Sequence, residues 1–235
     1  MDNLWIDALT AADRQRLEPH LTERPFAQGQ MLYDAGESVD DVWFPLSGVI
    51  SLMTLLDGDR TIETAAIGRE GLVGVTCGPM NGRAASRAIA QVEGVSACCP
   101  ADVFAEALGE SEAMRQALAK FTESLFAQVQ QAAACNARHR LDERLARWLL
   151  TIHDRAGTDR FALTQSDIAG MLGVRRATVS EVGSALEERG LVRRGRGWVE
   201  VLDRKALEAA SCGCYGQMRG VMQDLGVPRP HAPAG

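Results

Sequence analysis

Two arginines stand beside two hydroxyl residues in the segment "LGVRRATVSEV", residues 172–182. A guanidinium can donate two hydrogen bonds to the edge of a guanine, and a Ser or Thr hydroxyl can make shorter polar contacts with bases or phosphates. This chemistry points to double-stranded DNA as the partner. The candidate contact residues, which include polar residues upstream and arginines downstream, are Thr164, Gln165, Arg175, Arg176, Thr178, Ser180, Glu181, Arg193, Arg194 and Arg196.

The elements that must position these side chains follow the order of a helix-turn-helix within residues 139–211. Thr164 and Asp167 have the spacing of a capping box, which predicts the start of a first helix. Gly173 predicts the end of that helix in a left-handed C-cap. A second helix is predicted over residues 176–189, and its N-terminal end is the part of such a motif that enters the major groove.

The charge of the chain is distributed unevenly. The net charge of −6 over 235 residues would by itself argue against a nucleic-acid partner. Residues 138–205, however, contain 14 Arg and Lys against 10 Asp and Glu. Within this basic segment, residues 191–203 read as a two-stranded wing with its tip at residues 195–197. The positive charge therefore lies where contacts with the DNA backbone are expected.

The composition bounds the class of protein. Hydrophobic residues make up 46% of the chain, enough for more than one core. The N-terminus lacks a basic segment followed by an apolar one, and no apolar run reaches the length of a membrane span. We expect a cytoplasmic protein with no membrane partner.

The first half of the chain predicts an antiparallel β-structure. After a short amphipathic helix over residues 3–20, residues up to about 100 contain short β-like runs that Gly, Asp and Pro interrupt. Asp57-Gly58 between two of these runs predicts a tight hairpin. We predict an α+β protein with a jelly-roll-like β-roll over residues 1–110, a long helix, a winged helix-turn-helix and a tail over residues 212–235.

The long helix is predicted over residues 111–138, which contain neither Gly nor Pro. Apolar residues recur there at alternating spacings of three and four, which is typical of a helix that packs against a partner helix. This pattern predicts a homodimer. A helix that lies on its own β-roll would explain residues 114–125 but explains the whole length less well. The predicted interface residues are Leu118, Phe121, Leu125 and Ala132.

The chain resembles the Crp/Fnr superfamily of bacterial transcription regulators over about residues 10–210. The specific match is "LTQSDIAGMLGVRRATVSEVGSALEERGLV", and "YDAGESVDDVWFPLSGVI" supports the β-roll. The resemblance implies a homodimer that binds a palindromic operator, with RNA polymerase as a partner. It also assigns Arg176 to an arginine that reads the half-site. Ala177 and Glu181 depart from the usual residues, so we expect a different operator sequence.

In cyclic-nucleotide-binding relatives, a phosphate cassette joins a Gly-Glu step to a later Arg-Ser. This chain keeps Glu70 and Arg83, but Arg69 replaces the glycine and Ala84 replaces the serine. The loop fits a plain β-roll connection as well as it fits a nucleotide pocket. We therefore assign no cofactor and expect no strong response to cyclic AMP. The candidate effector contacts are Gly68, Glu70, Arg83 and Ser86.

Cysteine oxidation is the alternative signal. The candidate redox residues are Cys77, Cys98, Cys99 and Cys135. A nearby base that lowered a thiol pKa would make them reactive, whereas burial would make them ordinary small apolar residues. No metal site is predicted, because Cys212-Gly-Cys214 is too short to hold an ion alone and the histidines form no ligand motif.

Two functions of other classes remain open. One is a thiol-based redox enzyme that uses Cys98 and Cys99, and the other is a nucleotide-binding module that binds protein and not DNA. The chain contains no CxxC pair, nucleophile elbow or phosphate-binding loop. We therefore expect a regulator and not an enzyme.

Overall fold

The structure, a computed structural model, describes residues 2–56, 60–75 and 83–227. The helices are α1 (Leu4–Asp7), α2 (Ala11–Leu17), α3 (Ala101–Glu110), α4 (Glu112–Arg138), α5 (Leu141–Ala156), α6 (Gln165–Leu172), α7 (Arg176–Glu188), α8 (Arg204–Ala210) and α9 (Cys214–Asp224). The strands are β1 (Thr22–Phe26), β2 (Met31–Tyr33), β3 (Asp41–Pro45), β4 (Val49–Leu55), β5 (Thr61–Ile67), β6 (Arg87–Val92), β7 (Gly94–Pro100), β8 (Arg160–Ala162), β9 (Val192–Gly195) and β10 (Trp198–Val201).

Two antiparallel sheets form the β-roll. One has the strand order β1-β7-β3 and the other β2-β6-β4-β5. Both sheets contribute to one core, in which Trp5, Phe44 and Phe104 lie with ring centroids 5.7–6.0 Å apart. The predicted α+β fold with an N-terminal β-roll is confirmed. The predicted hairpin residues Asp57 and Gly58 lie outside the described residues, but the flanking strands β4 and β5 are paired antiparallel.

The N-terminal segment predicted as one helix forms two. Asn3 caps α1, and its side chain also donates to the carbonyl oxygens of Pro45 and Gly71 at 3.0 Å. Thr10 then caps α2 through a hydrogen bond from the backbone N–H of Asp13. The second cap starts a new helix, so the amphipathic pattern is interrupted at residues 8–10.

Helix α4 is the long helix, and the β-roll covers its first half. Ser111 caps it, and Met114, Phe121 and Leu125 are buried in the β-roll core. The side chain of Phe126, by contrast, is 61% exposed and that of Val129 is 36% exposed. The open face of α4 is thus shifted by one residue from the predicted interface.

This arrangement corrects the predicted dimer residues. Phe121 and Leu125 are buried against their own chain, Leu118 packs on the same core, and Ala132 lines a cavity within the chain. Phe121 and Leu125 therefore leave little surface for a second subunit, and Leu118 and Ala132 are half-buried. The β-roll covers this side because its own apolar sheet needs a partner layer, and α4 supplies that layer.

The C-terminal half of the chain forms a second core, which also includes residues of the N-terminal half. Helix α5 buries Leu145, Trp148 and Ile152, and the strand order β8-β10-β9 closes the wing. Val49 and Met53 of β4 belong to this core. Strand β4 is therefore buried on both faces, which explains its continuous apolar run.

Two carboxylates join the β-roll to α5, and of these Glu70 is buried and Glu63 is half-buried. Glu70 Oε1 accepts a hydrogen bond of 2.6 Å from Arg155 Nε, and both side chains are at least 94% buried. Glu63 accepts hydrogen bonds from Trp148 Nε1 at 2.8 Å and from Ser51 Oγ at 2.5 Å. Burial raises the pKa of Glu63. These contacts fix the C-terminal domain on the outer face of the sheet.

We expect Glu70→Gln to lower the free energy of unfolding by about 3–5 kcal/mol, because it leaves the Arg155 charge buried without its counter-charge. Urea denaturation of the full chain measures this change. Glu110→Gln, which removes the exposed partner of Arg16, serves as the control and should have little effect. Equal unfolding curves for the two variants would contradict a structural role for the buried pair.

Candidate nucleic-acid interface

The capping box predicted at Thr164 is present. Thr164 Oγ1 accepts from the backbone N–H of Asp167 at 3.1 Å, and Asp167 Oδ2 accepts from the backbone N–H of Thr164 at 2.7 Å. Gly173 ends α6 with φ of 65°, a conformation that glycine adopts without steric cost. The first helix therefore begins and ends where the sequence predicts.

Helix α7 packs on α6 through one apolar face. Val179 and Leu186 are buried with Ile168 and Leu172 in the second core. The opposite side of α7 faces outward at its N-terminal end. The exposed residues there are Arg175, Arg176, Ala177, Thr178 and Glu181, while Ser180 is half-buried.

Arg194 has a structural role in this arrangement. Its guanidinium donates to the Glu187 carboxylate, to Ser184 Oγ at 2.9 Å and to the carbonyl oxygen of Ser180. Hydrogen bonds from Arg194, first from its backbone N–H and then from its guanidinium, lower the pKa of Glu187. These hydrogen bonds brace the wing against α7, and a contact between Arg194 and DNA stays a prediction.

The glycine at position 183 allows the wing to lie close to α7. A Cβ atom at Gly183 would stand 2.3 Å from Arg194 Nη1, so a larger residue here would have to displace the guanidinium. Arg193 and Arg196 remain exposed on the wing, and Arg193 donates to Glu200 at 3.3 Å. Gln165 at the start of α6 is half-buried. The basic surface therefore comes from α7 and from these two wing arginines.

The predicted effector residues are held by separate partners. Glu70 accepts from Arg155 and from the backbone N–H of Gly68, so its carboxylate is already engaged. Arg83 donates to the carbonyl oxygen of Gly36 at 2.7 Å, and Ser86 is half-buried. Contact of Glu70 with an effector stays a prediction, and it would compete with the hydrogen bond that Glu70 already accepts from Arg155 of α5.

A cavity of about 520 Å³ is lined by residues of β5 and of the helices α4, α5, α6, α8 and α9. Its polar lining includes Glu63, Gln128, Arg147, Arg155 and Arg204. A volume of this size suits a small ligand. No local sequence pattern predicts it, because its walls come from six segments that are distant in the chain.

The four candidate redox cysteines differ in their surroundings. Cys77 lies outside the described residues. Cys98 and Cys99 are buried, and burial raises the pKa of Cys98 to about 12 and that of Cys99 to about 11. Cys135 is buried at the end of α4, with its Sγ 3.5 Å from Cys212 Sγ. The prediction that Cys98 and Cys99 sense oxidants is thus corrected, because a sensor needs an accessible thiolate.

We expect iodoacetamide at pH 8 to alkylate Cys98 and Cys99 roughly 100-fold more slowly in the folded protein than in the urea-unfolded chain, whose thiols have ordinary pKa values. Mass spectrometry of the two peptides over time measures the rates. Because the pKa values are raised, the folded-state rate should rise only as the pH approaches about 11. Equal rates at pH 8 would show that these thiols are reactive.

Comparison with known proteins gives a consistent result. A family model described as a cyclic nucleotide-binding domain matches residues 23–111, and one described as a Crp-like helix-turn-helix domain matches residues 143–210. No curated protein is significantly similar in sequence. Within the described residues, no helix has the length and apolar character needed to cross a membrane.

Solved structures share the fold at low identity. A putative transcriptional regulator of the Crp/Fnr family from Eubacterium rectale is 22% identical, with a TM-score of 0.69 over 88% of this chain and 96% of that one. FixK2 from Bradyrhizobium japonicum is 21% identical, with a TM-score of 0.69 over 82% and 98%. The c-di-GMP-responsive regulator CLP from Xanthomonas campestris is 14% identical, with a TM-score of 0.66 over 83% and 100%.

Proposed function

The chain belongs to the Crp/Fnr superfamily of transcription regulators, and we propose that it is a homodimer that binds a palindromic operator through α7. The observation that carries this proposal is the exposed N-terminal end of α7, where Arg175, Arg176 and Thr178 face outward. The superfamily consists of DNA-binding regulators and not of enzymes.

Each element of the interface has a role that its chemistry supports. Arg176 donates to a guanine edge, and Ser180 makes a shorter contact in the same groove. Thr164 and Thr178 are exposed near helix N-termini, where hydroxyl and backbone N–H groups bind phosphates. The wing arginines Arg193 and Arg196 add contacts with the DNA backbone. Glu181 is exposed beside these residues and favours cytosine, whose amino group is a donor in the major groove.

We expect Arg176→Ala to weaken binding to the specific operator by about 1–3 kcal/mol and to relax discrimination at one base position. Arg189→Ala is the matched control, because Arg189 is an exposed arginine at the opposite end of α7. Operator fragments selected from genomic DNA, followed by titration of single-base variants, measure both effects. Unchanged discrimination in Arg176→Ala would refute this assignment.

The dimer proposal rests on the open face of α4. Exposed residues recur along it at spacings of three and four, and they are Ala119, Thr122, Phe126, Val129 and Ala133. A second copy of the same helix would cover Phe126 and Val129 and bring two copies of α7 to one side of the dimer. Two-fold symmetry in the protein then requires a palindromic operator.

We expect Phe126→Glu to convert the dimer to a monomer at micromolar concentration, because it places two like charges in a helix interface. Sedimentation velocity measures the change. Met31→Glu is the control, since Met31 is also an exposed apolar residue but lies on β2 in the β-roll. A wild-type protein that is monomeric under these conditions, or a Phe126→Glu variant that remains dimeric, would contradict the proposed interface.

The signal is proposed to act where the β-roll contacts α5. A ligand in the cavity between them would touch Glu63 and Arg155, which hold the C-terminal domain in place. An effector changes DNA affinity only if it binds two arrangements of the domains unequally. A ligand at this position would contact both sides of the junction between the β-roll and α5. A cyclic nucleotide at Glu70, by contrast, would first have to separate a buried ion pair. RNA polymerase is the partner expected for the DNA-bound protein.

A further inference from the structure

The C-terminal end of α4 and the start of α9 bring four metal-binding side chains together. Cys135 and His139 stand one helical turn apart, and Cys212 and Cys214 approach them from the tail. The four ligand atoms all lie within 4.8 Å of one another. Cys135 Sγ is 3.5 Å from Cys212 Sγ, and Cys214 Sγ is 3.4 Å from His139 Nδ1. The three thiols form a cluster separate from both hydrophobic cores.

We propose that Cys135, His139, Cys212 and Cys214 bind a single Zn²⁺ ion in a tetrahedral site. Zinc bonds of about 2.3 Å to sulfur and about 2.0 Å to nitrogen place neighbouring ligand atoms roughly 3.4–3.8 Å apart. The 3.5 Å and 3.4 Å distances in the cluster are close to this spacing, and no two of the ligand atoms are more than 4.8 Å apart. An iron–sulfur cluster interposes several atoms between its ligands and needs a wider cage. Thiolates and an imidazole also exclude Mg²⁺ and Ca²⁺, which prefer oxygen ligands.

The surroundings of the cluster support thiolate ligands. Gln131 Nε2 donates to Cys214 Sγ at 2.8 Å, the kind of contact that orients a metal ligand. Arg144 lies within electrostatic range of Cys135 and Cys212. Its buried Nε has no hydrogen-bond partner within the described residues. Three thiolates and a neutral histidine around Zn²⁺ carry one net negative charge, and Arg144 supplies the opposite charge.

The position of the site links it to the DNA-binding domain. His139 follows the last residue of α4, and Arg140 is the cap residue of α5. An ion here would fasten α9 to the junction between the long helix and the C-terminal domain. Arg144 also donates to the carbonyl oxygen of Leu172 at 2.8 Å, at the end of α6. Metal binding is thus expected to rigidify the junction from which the helix-turn-helix is positioned.

The test is a cobalt titration of the full-length protein in metal-free, reducing buffer. We expect one equivalent of Co²⁺ per chain, with the strong visible absorption of tetrahedral thiolate coordination, and displacement of that Co²⁺ by Zn²⁺. Cys212→Ser and Cys135→Ser should bind at least about 100-fold more weakly, and Gln131→Ala roughly 10-fold more weakly. Cys98→Ser, which alters a buried thiol of the β-roll, is the matched control and should bind as the wild type does.

Thermal unfolding separates loss of the site from loss of the fold. Zn²⁺ should raise the unfolding temperature of the wild type but not that of Cys212→Ser. His139→Ala changes a solvent-accessible position and should also bind Co²⁺ more weakly if the cysteine variants do not fold. The proposal is overturned if Cys212→Ser binds Co²⁺ as tightly as the wild type does. It is also overturned by a disulfide between Cys135 and Cys212 that persists in the reducing buffer, or by iron–sulfur absorption. Absence of saturable binding when the thiols are verified as free would overturn it as well.

Discussion

The buried pair of Glu70 and Arg155 is the constraint on which the relation between the two domains depends. A charge removed from water is tolerated only when a counter-charge and hydrogen bonds accompany it. Glu70 comes from the loop after β5 and Arg155 from the last turn of α5, so the two charges neutralise each other only when the C-terminal domain lies on the sheet. The apolar contacts around them strengthen this arrangement but do not determine it as sharply, because apolar packing is not directional.

This constraint changes how the β-roll can act as a sensor. In the related cyclic-nucleotide cassette, the glutamate is a ligand for the effector, whereas Glu70 is a ligand for the protein's own helix. The loop that resembles a nucleotide site is therefore used to hold the C-terminal domain. Under the proposed function, an effector in the adjacent cavity would alter DNA binding by changing the free energy of this contact.

The sequence predicts best the features that local chemistry determines. The capping box at Thr164 and the glycine at 173 are recognisable because each involves only the residues of one turn. The interface predicted on α4 lies one residue away from the exposed stripe, since Leu125 and Phe126 belong to two stripes with the same three-and-four spacing. Which stripe faces the β-roll depends on the position of the sheet, and no local pattern records it. The role of Arg194 was missed for the same reason, because Glu187 and Ser184 reach it only when the wing folds back.

The distribution of ligands around Cys135 shows how the long helix can serve more than one purpose. The first half of α4 closes the β-roll, its open face offers Phe126 and Val129, and its last turn presents Cys135 and His139 to the tail. Neither pair of metal ligands is sufficient alone, since a Cys-x-Cys step and a Cys-x3-His step each supply only two of four positions. The two halves meet because Tyr215 of α9 donates to Asp154 Oδ2 at 2.8 Å and holds the tail against α5. A tail that reads as an appendage in the sequence therefore packs against the helices on either side of the junction from which the DNA-binding surface is positioned.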